Sequence, residues 1–272
     1  MSVDNPDVGF RSFVMKKEVT SVQPLKTAVL FMIFNRMHTA ERVFAAIREA
    51  RPPRLYIASD GARLDREGEG EKVACVRRFI LQNIDWECEV RTLFRDENLG
   101  CKYAVSSAIS WFFEQEEMGI ILEDDCLPSQ SFFWFCEDML EKYSQDDEVW
   151  HISGDGRATQ KIELKGDYAF SKYPIIWGWA SWSRVWKSYS PAIVSWPENK
   201  LRFLGGISKS EGTKNFFEET LDQVYNNELD VWSYQLSYLV WLNSGSCIVP
   251  KVNLISNIGF GADATHTMYV KS

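Results

Sequence analysis

Residues 119–125 of this 272-residue chain are Gly-Ile-Ile-Leu-Glu-Asp-Asp, an apolar run that ends abruptly in three carboxylates. The apolar part predicts a strand buried on both faces of a sheet. Three adjacent carboxylates at the end of such a strand repel one another, so a cation or a proton must compensate them. Hard cations such as Mg²⁺ and Mn²⁺ prefer oxygen ligands and leave positions open for water and phosphates. The stretch predicts a metal site beside a nucleotide diphosphate; a solvated acidic turn before Pro128, with Ser129 capping the next helix, is the alternative.

Strands and helices alternate along the part of the chain that precedes this stretch. Strands are predicted over residues 27–34, 54–59 and 88–94, and helices over 40–50, with Thr39 as cap, over 71–82, and after Gly100. Alternating strands and helices imply an α/β fold with a mainly parallel central sheet flanked by helices, in which ligands bind outside the carboxyl ends of the strands. Polar clusters occupy those ends: Asn35-Arg36, Asp60-Gly61, Asn98-Leu99-Gly100 and Glu123-Asp124-Asp125.

The pattern is less regular beyond residue 150, where we predict short strands, a Trp-rich segment at 177–186 and helices near 213–226 and 231–243. No Gly-, Pro- and Ser-rich linker divides the chain. We therefore expect a surface arm over residues 1–25 and one domain over 26–272. Its first half, 26–150, would bind the nucleotide, and its second half, 151–272, the other substrate.

Composition limits the possible partners. A net charge of -8 without a cluster of basic residues argues against binding to nucleic acid. Six cysteines without a Cys-x-x-Cys pair and only three histidines give little support to a zinc site, and we expect reduced thiols in a cytoplasmic protein. The sequence has no signal-peptide pattern and no apolar stretch of about 20 residues, so we expect at most peripheral contact with the inner face of a membrane.

Four segments together resemble the donor-site motifs of GT-A glycosyltransferases, whose Rossmann-like fold binds nucleotide-diphospho-sugars. They are Phe31-Met32-Ile33-Phe34-Asn35-Arg36, Ala58-Ser59-Asp60-Gly61, Asn98-Leu99-Gly100-Cys101-Lys102 and Ile121-Leu122-Glu123-Asp124-Asp125. The similarity is to the inverting branch typified by the N-acetylglucosaminyltransferase that initiates complex N-glycans, and to bacterial transferases that build surface polysaccharides. It extends over roughly residues 26–270 and is thin in the second half.

The resemblance implies a role for each matching position on the donor side. Asp125 would be the direct ligand of Mn²⁺ or Mg²⁺. The donor, with a UDP-sugar favoured, would contact Asn35, Arg36, Asp60, Gly61, Asn98, Lys102, Glu123 and Asp124. An ordinary Asp-Gly turn at Asp60 and a lysine on a helix surface at Lys102 are the competing interpretations.

The second half would supply the base and the acceptor site. Asp230, two residues before Trp232, resembles the Asp that takes the proton of the acceptor hydroxyl in an inverting transfer. Capping of a helix that begins near Val231 is the alternative role for Asp230. Trp179 and Trp232 would stack on a glycan or lipid-linked saccharide. Trp182 and Trp186 fit the apolar face of a helix.

Residues 258–267 resemble a mobile loop that closes over the donor, which would place Thr265 and His266 near the diphosphate. A frayed C-terminal tail is the alternative. The sequence thus predicts a metal-dependent, inverting hexosyl- or N-acetylhexosaminyltransferase. A sugar nucleotidyltransferase would need a Gly-rich phosphate loop after the first strand, and residues 35–38 contain no glycine. A non-catalytic nucleotide-sugar-binding or scaffold protein is the other alternative.

Overall fold

The computed structural model describes residues 12–13, 24–160 and 163–260. The first part of the chain forms the predicted strands and helices in order. They are β1 (Ser12–Phe13), β2 (Val29–Ile33), α1 (Met37–Ala50), β3 (Arg54–Ser59), α2 (Glu69–Gln82), β4 (Glu89–Phe94), α3 (Gly100–Phe113) and β5 (Met118–Glu123).

The second part mixes short strands with helices. It contains β6 (Cys126–Pro128), α4 (Gln130–Lys142), β7 (Val149–Ser153), β8 (Tyr168–Ser171), β9 (Trp179–Trp182), α5 (Ser183–Trp186), α6 (Trp196–Ile207), α7 (Glu211–Tyr225), α8 (Ser233–Leu242), β10 (Ser246–Pro250) and β11 (Ile255–Asn257).

One sheet of nine strands extends through both parts in the order β1-β8-β10-β7-β9-β5-β2-β3-β4. Strands β4, β3, β2 and β5 are parallel neighbours, as the sequence predicts. Beyond β5 the sheet becomes mixed, because β9 lies antiparallel to both of its neighbours, β5 and β7. The α/β prediction is confirmed, and parallel order holds for the half of the sheet that carries the acidic stretch.

Strands β2, β3 and β5 are buried on both faces, which explains their apolar sequences, whereas β4 at the sheet edge is largely exposed. Alternate residues of β2 point to opposite faces, so that Val29 and Phe31 pack in one core cluster and Leu30 and Met32 in another. The first cluster contains apolar residues of α1, α2 and α4; the second contains those of α3 and α8. Helices therefore cover both faces and leave the strand ends accessible.

Two local predictions differ from the structure. Helix α1 already begins at Met37, so Thr39 lies inside its first turn and donates a hydrogen bond to the Arg36 carbonyl at 3.2 Å instead of capping the helix. Trp182 and Trp186 do not share a helix, because Trp182 ends β9 and Trp186 ends the short α5. Within the expected N-terminal arm, Ser12–Phe13 pairs with β8 at the sheet edge.

Within the described ranges, no helix has the length and apolar character needed to cross a bilayer.

Candidate active site

A cleft of about 710 Å³ opens at the carboxyl ends of β2, β3 and β5. Strand β2 has β3 on one side and β5 on the other, so the strand order reverses there, which is where open α/β sheets bind ligands. We call the residues that follow β2, β3 and β5 the strand-end wall, and residues 229–234 the α8 wall. The predicted site residues that line the cleft are Arg36, Asp60, Asn98, Glu123, Asp124, Asp125, Asp230 and Trp232.

The acidic stretch is paired with a cation from the neighbouring strand end. The Arg36 guanidinium donates through Nη2 to Asp124 Oδ1 and to Asp125 Oδ2, the latter at 2.9 Å. Asp124 is buried, and its second oxygen accepts the Phe34 N–H at 3.3 Å. Asp124 and Asp125 form the turn between β5 and β6, but this turn is not solvated, because Asp124 is buried.

Burial dominates the electrostatics of the strand-end wall. It raises the pKa of Glu123 to about 8, with further contributions from the charges of Asp125 and Asp124. It also raises the pKa of Asp124 to about 6, against the opposing effect of Arg36. For Arg36 burial lowers the pKa, but the charges of Asp124 and Asp125 outweigh burial and raise it. The stretch therefore holds more negative charge than one arginine offsets, and additional positive charge would be stabilised there.

The donor atoms at this wall suit a hard divalent cation held partly by substrate. Asp125 keeps 18% of its side chain exposed toward the cleft, and carboxylate oxygens are the ligands that Mg²⁺ and Mn²⁺ prefer. The described residues contain no group of three or more His, Cys, Asp and Glu side chains arranged to hold a metal ion. The arrangement thus fits a cation bound through one carboxylate and completed by water and phosphate oxygens.

The N-terminus of α3 connects the two walls. The backbone N–H groups of Leu99 and Gly100 donate to Asp60, and those of Cys101 and Lys102 donate to Asp230 at 2.8 and 2.7 Å. These N–H groups at the start of the helix would otherwise have no intrahelical partner, and they carry the positive end of the helix dipole. Two carboxylates from distant parts of the chain therefore meet at one helix end.

Asp230 is exposed to the cleft although it caps α3. Capping was the alternative role predicted for Asp230, but the helix differs. Helix α8 begins at Ser233 with Trp232 as its N-cap residue, and it has no side-chain cap. Each Asp230 oxygen retains a second lone pair for a ligand, because each accepts one N–H.

Three predicted donor residues do not line the cleft. Lys102 is buried and its ammonium group donates to Asn227 Oδ1 at 2.8 Å, because its place in the first turn of α3 directs it to the α7–α8 loop. Asn35 donates to Glu69 at 2.8 Å. Gly61 packs against the 96–98 loop so closely that an added Cβ would lie 2.4 Å from the Glu97 carbonyl carbon.

Trp179 lies in the core, where both faces of its indole are covered. The His151 ring stacks at 5.1 Å from it, and the Trp232 ring stacks at 5.8 Å. Trp179 is only 1% exposed, so in this conformation it supports the α8 wall through Trp232. Its predicted contact with an acceptor sugar would require the stack to open.

The C-terminal segment approaches the acidic stretch as far as the structure describes it. The Ile258 N–H donates to the Asp125 carbonyl at 2.8 Å. A Cβ on Gly259 would lie 2.3 Å from Asp125 Oδ2, so glycine permits this close approach. Thr265 and His266 of the predicted closing loop lie outside the described residues.

The cleft also contains residues to which the sequence analysis gave no role. Phe34, Arg63 and Arg95 lie on the strand-end side, and Thr220 and Tyr234 lie toward α7 and α8. Arg63 lies two residues after Asp60-Gly61, and this proximity to a predicted site was the signal available in the sequence. Thr220 and Tyr234 belong to helices whose packing against the cleft has no local sequence signature.

No protein-family model and no curated protein matches the sequence. Among solved structures, the chain is similar to a mannosyltransferase from Pyrobaculum calidifontis in complex with GDP-Man and Mn²⁺, with a TM-score of 0.50 and 12% identity over 88% of this chain and 58% of that one. The chain thus spans little more than half of that protein's length.

Two other solved structures are more distantly similar to this chain. UDP-glucose pyrophosphorylase complexed with UDP-glucose gives a TM-score of 0.36 at 10% identity, over 61% of this chain and 81% of that chain. Mouse xyloside xylosyltransferase 1 gives 0.38 at 8% identity, over 79% and 81%. Both are too distant to add to the comparison. The mannosyltransferase likeness, together with the strand order and the position of the cleft, identifies the fold as GT-A.

Proposed function

We propose that this protein is a glycosyltransferase that moves a sugar from a nucleoside diphosphate to a saccharide acceptor. The observation that carries the proposal is that Asp125 and Asp230, which come from distant parts of the chain, line one cleft at the point where the strand order reverses. Group transfer between two substrates needs a site that stabilises the leaving group and, facing it, a group that accepts a proton.

On the strand-end wall, Asp125 would hold a divalent cation, Mn²⁺ or Mg²⁺, whose chemistry would be to neutralise the charge of the departing diphosphate. Arg36 adds a positive charge at the same place, since it already contacts Asp124 and Asp125. Asp60 and Asn98 lie at the next strand ends, where they would contact the nucleoside.

On the α8 wall, Asp230 would accept the proton of the acceptor hydroxyl. The two N–H groups of α3 fix its carboxylate and leave lone pairs toward the cleft. A base that attacks from the face of the sugar opposite the leaving group produces inversion at the anomeric carbon, and we propose inversion on the resemblance of the Asp230 segment. Trp232 lies two residues away on the same wall.

The finer assignments follow from the same resemblance. We propose a UDP-sugar as donor, a hexosyl or N-acetylhexosaminyl group as the part transferred, and a glycan or lipid-linked saccharide as acceptor. Polysaccharide biosynthesis at the inner face of a membrane, with peripheral contact only, is the setting that such an acceptor implies.

A thermal-shift panel with UDP, GDP, dTDP and CMP, each with and without Mn²⁺, tests donor binding, because a ligand that binds only the folded state raises its stability. We expect one nucleoside diphosphate to raise the melting temperature in a manganese-dependent way. Release of a nucleoside diphosphate from the sugar nucleotide then distinguishes a glycosyltransferase from a nucleotidyltransferase, which would release pyrophosphate from a nucleoside triphosphate. No shift with any nucleotide would refute the proposal.

A further inference from the structure

Arg63 and Phe34 lie together on the β2–β3 side of the cleft. Both line it, and the Arg63 guanidinium lies over the Phe34 ring at 5.7 Å from the ring centre. Phe34 follows β2 and Arg63 follows β3, whereas the acidic stretch follows β5 on the other side of β2. Arg63 is thus displaced from the acidic stretch toward β3, and Phe34, whose backbone N–H donates to Asp124, lies between them.

Arg63 is held in place by a buried carboxylate. Glu69 accepts the Arg63 backbone N–H at 2.8 Å and the Arg63 Nε at 3.0 Å, and it also pairs with Nη2. The Glu69 side chain is only 6% exposed, compared with 39% for Arg63. Hydrogen bonds from Arg63 lower the pKa of Glu69 to about 2, against the opposing effect of burial. The pair is therefore fully charged, and the guanidinium is fixed.

One edge of this guanidinium remains available. Nε and Nη2 face Glu69, whereas Nη1 makes no hydrogen bond with any residue that the structure describes. A guanidinium can only donate, so the free edge suits an acceptor atom such as a keto oxygen. Nucleobases combine a flat face that stacks on aromatic rings or guanidinium planes with acceptor atoms at their edge.

The spacing along the sheet suits one nucleotide. Strands β3 and β5 are separated by β2 alone, hence by about 10 Å. A ribose and its first phosphate can bridge that distance, which would place the base at Arg63 when the diphosphate lies at Asp125.

We infer that Arg63, fixed by Glu69 and stacked on Phe34, binds the nucleobase of the donor through a hydrogen bond from Nη1 to a carbonyl oxygen. This inference rests on the proposed use of a nucleotide donor and adds the residues that bind its base. The competing explanation is that Glu69 and Arg63 only hold the 61–68 loop together.

Calorimetric titration of the full chain with UDP, GDP and pyrophosphate, all with Mn²⁺, separates base binding from phosphate binding. We expect Arg63→Ala to weaken the tighter of the two nucleotides by about tenfold or more, since hydrogen bonds to charged groups are the strong ones. Phe34→Leu should weaken it by about fivefold through loss of stacking. Pyrophosphate should bind all variants within about twofold of wild type.

Arg66→Ala is the matched control, because Arg66 belongs to the same loop, is 63% exposed and does not line the cleft. It should bind nucleotides as wild type does. If Arg63→Ala fails to fold, Arg63→Lys keeps the charge without the planar fork and should still weaken nucleotide binding.

Unchanged nucleotide binding by Arg63→Ala, or an equal loss for pyrophosphate, would overturn the inference and leave the proposed function standing. Failure of the wild-type protein to bind any nucleotide of the thermal-shift panel would overturn both; if it binds dTDP or CMP instead of UDP or GDP, the same titrations use that nucleotide.

Discussion

The two walls of the cleft both carry carboxylates, but they neutralise them differently. On the strand-end wall a side-chain cation, Arg36, pairs with Asp124 and Asp125. On the α8 wall backbone N–H groups of α3 satisfy Asp230. The first arrangement leaves excess negative charge that a cation can offset, whereas the second fixes one carboxylate in the cleft through backbone N–H groups. This difference is the basis for proposing metal binding on the strand-end wall and proton transfer on the α8 wall.

Asp230→Asn tests the difference most directly. We expect kcat for sugar transfer to fall by about 10²- to 10⁴-fold, the usual contribution of a general base. Affinity for the donor nucleotide should change little, because the amide keeps the shape of the side chain. Steady-state kinetics with nucleotide titration checks both. Glu228→Gln, in the same exposed loop but outside the cleft, is the control. Transfer at the wild-type rate would place the base elsewhere.

Asp125→Asn tests the strand-end wall. We expect donor turnover to fall by at least about 10²-fold, because the substitution removes the proposed metal ligand. Asp125→Asn should also lose the manganese-dependent rise in melting temperature, whereas Asp230→Asn should keep it. Asp65→Asn, a highly exposed carboxylate on the loop after β3, should behave as wild type. If Asp125→Asn kept its response to manganese, the two walls would not differ as proposed.

Acid should destabilise the structure beneath the α8 wall through His151. Burial lowers the pKa of this histidine from its ordinary value of 6.5 to about 4, so the unfolded chain binds the proton more readily. Stability is therefore lost as pH falls from about 6.5 toward 4, by about 3 kcal/mol in total.

To isolate this effect, the unfolding free energies of wild type and His151→Phe are compared at several pH values. Both proteins contain the acidic stretch, so its titration cancels in the difference. A pH-independent difference would contradict the buried neutral imidazole.

Gly100→Ala should have the smallest effect of the four. Gly100 has φ +76° and an added Cβ would lie 2.7 Å from Asp230 Oδ2. We expect a loss of about 1–2 kcal/mol in unfolding free energy from the left-handed backbone, with reduced kcat because Asp230 is displaced. Gly205→Ala is the matched control, since Gly205 lies in α6 with nothing within 4 Å of an added Cβ. Denaturant unfolding and kinetics on both variants check this, and full activity of Gly100→Ala would show that Asp230 does not depend on its α3 contact.

The strand-end wall could be predicted from sequence because its information is local. Apolar runs define β2, β3 and β5, and the polar residues that follow each run must meet at one sheet edge. The hydrogen bonds between Asp230 and α3 join residues 129 and 128 positions apart, so no local pattern contains them. The position of Trp179 could not be predicted from a local pattern either. Its segment resembles an acceptor site, but Trp179 is a core residue because β9 lies between β5 and β7 in the centre of the sheet.

Strand β9 has a consequence for the order of assembly. It contributes residues 179–182 to the middle of the sheet, between β5 and β7, both of which leave the ribosome earlier. Until β9 is synthesised, one edge of β5 therefore stays open, and both edges of β7 stay open because β10 follows later still; open edges are templates for unwanted pairing between chains. Closing this gap depends on contacts distant in sequence, which slow folding. Synthesis that pauses before Trp182 would leave the chain most vulnerable to aggregation.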